Sequence, residues 1–176
     1  MKRLFLAIAP NAAQLAQLTR LQASLDKQGR LVPRDNLHMT LAFLGQCSED
    51  QQEALCDTLD RLAHQRRLPA FEVTLNTLDY WLKPKIICLK GVARDPRLIS
   101  LFDLCQGLAQ QLGLHTSEHS FTPHITLMRK AKVLPEFKAP SLPLSGNALH
   151  LYHSQSSEQG VQYKVLASWP LTAPKA

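Results

Sequence analysis

Nothing in this chain approaches the ~20 consecutive apolar residues of a membrane-crossing helix. The N-terminal run Leu4–Ala9 is six residues long and stops at Pro10. With Met1-Lys2-Arg3 before it and Ala7-Ile8-Ala9 at its end, it looks like the start of a signal peptide. It is shorter than the roughly 7–15 residues of an export core, and a buried first strand is the better reading. There is no block of five like charges and no low-complexity tail, so neither a charged arm nor a disordered linker is expected. No C-x-x-C spacing occurs either. Cys47, Cys56, Cys88 and Cys105 fall inside apolar patterns and read as free thiols in a reducing compartment, not as zinc ligands. His115 and His119 have an i, i+4 spacing, but they follow Gly113 and belong to a loop. These absences lead us to expect a cytoplasmic protein with no membrane segment, no metal and no cofactor.

The 176 residues, 45% hydrophobic, are enough for one substantial core, and one domain over 1–176 is expected. A formal charge of +6 with pI about 9.3 suits an anionic ligand such as RNA or a nucleotide, and gives direction only.

What the chain does contain is a short phrase written twice. His38-Met39-Thr40-Leu41 and His124-Ile125-Thr126-Leu127 are each a histidine and a threonine two residues apart, separated and followed by apolar residues. On a strand, residues i and i+2 share a face. His38 and Thr40 therefore project together, as do His124 and Thr126, with the apolar residues turned into a core. At this chain's residue frequencies the pattern is expected about 0.07 times by chance. Two facing copies make a site with two titratable rings and two hydroxyls, which suits phosphate chemistry.

The surrounding pattern places both copies on strands. Leu4–Ala9 reads as a central strand. Asn11 with Gln14 is a capping box opening a helix striped by Leu15, Leu18, Leu21 and Leu25 and ended by Gly29. Pro33 and Asp35-Asn36 mark a turn before a strand over Leu37–Leu44 that stops at Gly45. Ser48 with Gln51 opens a second helix carrying Leu55, Leu59 and Leu62. Phe71–Asn76 alternates as a half-buried strand, and Ile86–Leu89 is a buried one. Asp95-Pro96 begins the most regular helix, with Leu98, Leu101, Cys105, Leu108 and Leu112 on one stripe. Phe121–Met128 carries the second copy, with Pro123 favouring a strand start or an edge. Pro135, Pro140 and Pro143 break the next stretch into a loop, and Ala148–Ser154 and Val161–Trp169 form two final strands. The order is an α+β pattern with mainly antiparallel pairing. With the copies offset by 86 positions, it suggests two pseudo-symmetric lobes, outer helices and a central cleft.

Paired H-x-T-x motifs in a small α+β chain resemble the two-histidine (2H) phosphoesterase superfamily. Asp35 to Gly45 around the first copy and Pro123 to Arg129 around the second are similar to its LigT-type branch, the RNA 2′,3′-cyclic phosphodiesterases, also called 2′–5′ RNA ligases. The opening Arg3-Leu4-Phe5-Leu6-Ala7-Ile8 fits too. The resemblance implies a bilobal fold and no metal. It also implies hydrolysis of a terminal 2′,3′-cyclic phosphate to a 2′-phosphate, and reversible 2′–5′ joining of RNA ends such as tRNA halves.

The chemistry of the residues agrees. Opening a cyclic phosphodiester needs a base for the attacking water and an acid for the departing ribose oxygen, and imidazole serves as either near neutral pH. The resemblance assigns His38 as proton donor and His124 as proton acceptor, with Thr40 and Thr126 holding the non-bridging oxygens. It also marks Arg129 as a phosphate contact, although strand parity turns Arg129 away from His124 unless the strand ends near Met128. Tyr152 and Trp81 are candidates to stack on a base, and Tyr152 is taken as substrate-binding. His64, His115, His119, His150 and His153 are expected at the surface or at strand edges. The expected partner is RNA ending in a 2′,3′-cyclic phosphate or a 2′–5′ linkage, bound by a monomer.

Two other readings stand beside this one. A phosphodiesterase of a small cyclic nucleotide or ADP-ribose cyclic phosphate keeps the site and changes the substrate, and relative rates on small and oligomeric cyclic phosphates separate the two. A non-catalytic RNA-end-binding module predicts salt-sensitive binding that survives loss of both histidines.

Overall fold

Two helices of this chain start at side chains that close reciprocal capping boxes. In the computed structural model, which describes residues 1–25, 29–134, 136 and 138–173, helix α1 (Ala12–Ser24) begins at Asn11 and α2 (Glu49–His64) at Ser48. In each, the cap side chain accepts from the N3 amide while the N3 glutamine returns a bond to the cap. Helix α3 (Pro96–Gln111) starts with proline at its first position, and the Asp95 carboxylate accepts from the Arg97 amide. Their apolar stripes face the core as their spacing predicts, with Leu15 and Leu112 only half-buried, although α1 ends at Ser24, before Gly29.

Among the described residues, nine strands form two sheets. The first has the order β3 (Met39–Cys47), β1 (Lys2–Ile8), β8 (Ala148–Ser157), β9 (Gly160–Pro170). The second has the order β2 (Arg30–Leu31), β6 (His124–Arg129), β5 (Ile86–Gly91), β4 (Val73–Trp81), β7 (Leu142–Leu144). Every pairing within both sheets is antiparallel. A 3-10 turn at Arg34–Asn36 occupies the expected turn after Pro33.

Several boundaries differ from the expectation for identifiable reasons. β3 does not stop at Gly45, because that glycine sits at φ 75° beside a bulge and pairing with β1 continues to Cys47. β4 reaches Trp81, five residues beyond Asn76. Pro143 is part of β7, which is tolerated because β7 is an edge strand. Pro135 lies outside the described residues. β2 is too short to leave a periodic signal.

The two sheets do not divide the chain into halves. β2, which precedes the first motif, pairs with the second motif's strand, whereas the C-terminal hairpin β8–β9 completes the first motif's sheet. Helix α1 likewise packs on β6 and β7, and α3 packs on β3. One apolar cluster, including Leu4, Leu18, Met39, Leu89, Leu101 and Ile125, runs through both sheets and all three helices. The mixed α+β architecture with two antiparallel sheets is the expected one.

Candidate active site

His38 follows the 3-10 turn and immediately precedes β3; His124 is the first residue of β6. Each ring is anchored to a carbonyl two residues upstream. His38 Nδ1–H donates to the Asn36 carbonyl at 2.7 Å, and His124 Nδ1–H donates to the Thr122 carbonyl at 2.8 Å. A carbonyl only accepts, so in both neutral rings the proton sits on Nδ1 and Nε2 is bare. The Thr40 hydroxyl donates to His38 Nε2 at 2.8 Å. Asn36 is itself held by donating its amide to the Val161 carbonyl at 2.8 Å, which ties the first motif to β9.

Aromatic rings pack both histidines. Phe5 lies 4.8 Å from the His38 ring and Tyr163 meets it edge-on at 5.2 Å. Trp81 meets His124 edge-on at 4.6 Å, and its Nε1–H donates to Asp79 at 2.8 Å. Asp79 also takes the Lys90 ammonium at 2.7 Å, and Lys90 stands opposite His124 on the neighbouring strand. That ion pair holds the Asp79 carboxyl below its usual range.

A β-bulge follows each motif, and it decides what lies beyond the threonine. Ala7 pairs with Thr40 but Leu6 with Ala42, so Leu41 is an extra residue in β3. Cys88 pairs with Thr126 but Ile87 with Met128, so Leu127 is an extra residue in β6. Two consecutive residues then face the core, Leu41-Ala42 and Leu127-Met128, and the alternation restarts one position late. The side chain five residues after each histidine therefore returns to the cleft: Phe43 in one strand, Arg129 in the other. The parity objection to Arg129 fails because parity is not conserved through a bulge.

Burial dominates the electrostatics. It holds His38 down to about 4, opposed by its bond to Asn36 and reinforced by the positive charge of Arg129 and by that of His124 whenever that ring is protonated. Burial also lowers His124, again with Arg129 adding to the effect. One guanidinium thus acts on both rings, and both rings are neutral with bare Nε2 atoms at neutral pH.

Two cavities flank the site. One, of about 390 Å³, is lined by residues that include Thr40, Phe43, Trp81, Phe102, Phe121 and His124. The other, of about 600 Å³, includes Arg3, Arg30, Asn36, Arg129, Ser154 and Tyr163. The side chains come from both sheets in each case, so the cleft runs between the sheets.

His38, Thr40, His124 and Arg129 are thus assembled, and Thr126 stands half-buried on the face of β6 that carries His124. Tyr152 is not an open stacking surface as expected. It is 7% exposed and its ring stacks on Phe5 at 5.0 Å, so it packs the wall behind His38. His115 and His119 are exposed, as expected, and also line the aromatic cavity, while His150 contacts the Ser168 hydroxyl at 2.6 Å. Phe5, Phe43 and Tyr163 were missed. Phe43 was findable, because aligning the two motifs sets it against Arg129.

Comparison with known proteins agrees with this geometry. Residues 8–88 match the family described as LigT like Phosphoesterase. The RNA 2′,3′-cyclic phosphodiesterase of Escherichia coli K12 is 35% identical over 97% of this chain and 97% of its own, an alignment that spans both motifs. The chain belongs to the LigT-like phosphoesterase family. A second relative, the RNA 2′,3′-cyclic phosphodiesterase of Thermotoga maritima, is 28% identical over 93% of this chain and 92% of its own. Crystal structures of E. coli LigT in apo form and complexed with 3′-AMP each superpose with a TM-score of 0.83, at 34% identity, covering 97% of this chain and 98% of theirs.

Proposed function

We propose that this protein is an RNA 2′,3′-cyclic phosphodiesterase that opens a terminal 2′,3′-cyclic phosphate to a 2′-phosphomonoester. The observation carrying this reading is the mirrored tethering of His38 and His124, which leaves two bare Nε2 atoms on either side of one cleft. Water attacks phosphorus as its proton passes to His124 Nε2. The bond from phosphorus to O3′ breaks, and O3′ takes a proton from His38 Nε2. Thr40, Thr126 and Arg129 hold the non-bridging oxygens, where donors act on the charge that develops. The reaction is metal-independent in this scheme because the two rings carry both proton transfers.

His38 is neutral in the free protein, so the acid form must be created by the substrate. An anionic phosphate between the rings offsets Arg129 and favours the imidazolium. Once Nε2 carries a proton, the Thr40 hydroxyl is released to donate to a phosphate oxygen. With a 5′-hydroxyl in place of water the same steps join a 2′,3′-cyclic end to it as a 2′–5′ linkage, and cleavage of that linkage back to the cyclic phosphate is the microscopic reverse, with the roles of the histidines exchanged.

The two relatives named RNA 2′,3′-cyclic phosphodiesterases support this substrate, and so does the 3′-AMP complex of E. coli LigT. The remaining parts of the proposal are one domain over 1–176 with two pseudo-symmetric lobes, a monomer acting on cyclic-phosphate RNA ends such as tRNA halves, and a cytoplasmic location. Four free cysteines, three of them buried, suit that compartment.

Product analysis on an oligoribonucleotide ending in a 2′,3′-cyclic phosphate tests the reading. A 2′-phosphate end is expected. A 3′-phosphate product overturns the assignment of O3′ as leaving group. Binding without turnover, unaffected by loss of both histidines, leaves the RNA-end-binding reading standing instead.

A further inference from the structure

β2 exists because residue 29 is glycine. A Cβ there would come within 2.7 Å of the Arg129 carbonyl and 2.8 Å of the Met128 sulfur. Without that atom the chain lies directly on β6 and sets Arg30 opposite Arg129 as a cross-strand pair. Like charges placed directly opposite each other destabilise a ladder. Among the described residues, no carboxylate lines the cavity beside them and neither arginine forms a salt bridge. Arg3 adds a third guanidinium from the facing sheet, and Ser154, Ser156 and Gln159 add polar groups.

This basic groove opens onto the reaction site. Arg129 is common to both, and Tyr163 stands edge-on to His38 while lining the groove. The cavity on the other side of the histidines is mainly aromatic. A nucleotide held by its terminal phosphate has one base to place and one chain to lead away. The aromatic side suits the base, and the chain then leaves through the groove.

We propose that the cavity lined by Arg3, Arg30 and Arg129 binds the phosphodiester backbone of the RNA strand immediately 5′ of the cyclic-phosphate nucleotide. The cross-strand arginine pair is compensated by that anion, as charge-assisted bonds from guanidinium to phosphate oxygens require. This inference rests on the proposed function, and it adds that the protein prefers an oligonucleotide end to a free nucleotide.

The test compares wild type with Arg30→Gln, Arg3→Gln and the double variant on two substrates. One is cytidine 2′,3′-cyclic monophosphate, which has no 5′ phosphate; the other is a tetraribonucleotide ending in a 2′,3′-cyclic phosphate. Turnover of the mononucleotide should be unchanged. KM for the tetranucleotide should rise about five- to fifty-fold in the double variant. The log–log salt dependence of its kcat/KM should flatten by roughly 0.7 per arginine removed. Thermal unfolding of Arg30→Gln should move up or stay level, since a like-charge pair is relieved. Equal losses on both substrates, or none on the tetranucleotide, overturn the groove. If wild type turns over neither substrate, the proposed function fails. The groove is then judged by anisotropy with a labelled tetranucleotide bearing a 3′-phosphate, where equal affinity of wild type and double variant overturns it.

Discussion

The side-chain amide of Gln22, buried in α1, donates to the carbonyl of Leu127 at 3.0 Å and to that of Val32 at 2.9 Å. Leu127 is the bulged residue of β6, and its carbonyl also accepts from the Val32 amide at 2.9 Å. The first motif repeats the device. Gln106 of α3 donates to the carbonyl of Leu41, the bulged residue of β3, at 3.0 Å. A bulge leaves ladder groups unpaired, and each is repaired here by a glutamine from a helix.

Gln22→Leu should therefore cost about 1–3 kcal/mol, because it removes the buried bonds to the Val32 and Leu127 carbonyls. It should also raise KM, since the bulge is what returns Arg129 to the cleft. Urea denaturation and steady-state kinetics measure the two effects. A variant with reduced stability but wild-type KM would show that the bulge holds without Gln22.

Replacing either histidine by alanine should lower turnover of a cyclic-phosphate oligonucleotide by roughly 10²–10⁴-fold, the contribution of a general acid or base. The far-ultraviolet circular dichroism spectrum should not change. Near-normal turnover in His38→Ala or His124→Ala would remove that ring from the mechanism.

The lowered His38 makes stability depend on acid. Between its ordinary value of 6.5 and its folded value of about 4, the unfolded chain binds a proton that the folded protein does not. Stability is then complete above pH 6.5 and falls as pH drops through this window. The ceiling is about 3 kcal/mol, reduced by solvent contact of the half-buried ring. His38→Gln should flatten the decline of urea midpoints from pH 7 to 4. An unchanged slope would mean that His38 is not held neutral.

Gly29→Ala places its methyl against the Arg129 carbonyl and the Met128 side chain. A loss of about 1–3 kcal/mol is expected from that overpacking. Amide hydrogen exchange at Val32, whose N–H donates to the Leu127 carbonyl of β6, should speed up relative to β1. Wild-type protection there would contradict close docking of β2.

Much was legible because it depends on local rules. The capping boxes at Asn11 and Ser48, the proline at the start of α3 and the buried stripe of each helix follow from neighbours within a turn. The His-x-Thr pairs were legible for the same reason: two residues on one strand share a face whatever surrounds them. Arg129 was not, because parity counting fails where Leu127 bulges, and the bulged carbonyl is bonded by Gln22 from a distant helix. Tyr152 was misjudged because an aromatic residue on a half-buried strand has the same local pattern whether its ring meets a nucleobase or Phe5. Gln106 looked like an ordinary polar helix residue, since nothing local reveals a carbonyl on another element.

By itself, then, the sequence determined the three helices, most of the strands and the two motifs whose histidines and threonines are the candidate reacting groups, all set by interactions within a few residues. Tertiary structure decided which of those groups meet. It brought β2 beneath Arg129, closed β8 and β9 onto the first motif's strand, and set two neutral Nε2 atoms across one cleft. Those relations join residues far apart in the chain, and burial, not sequence spacing, sets their charge state.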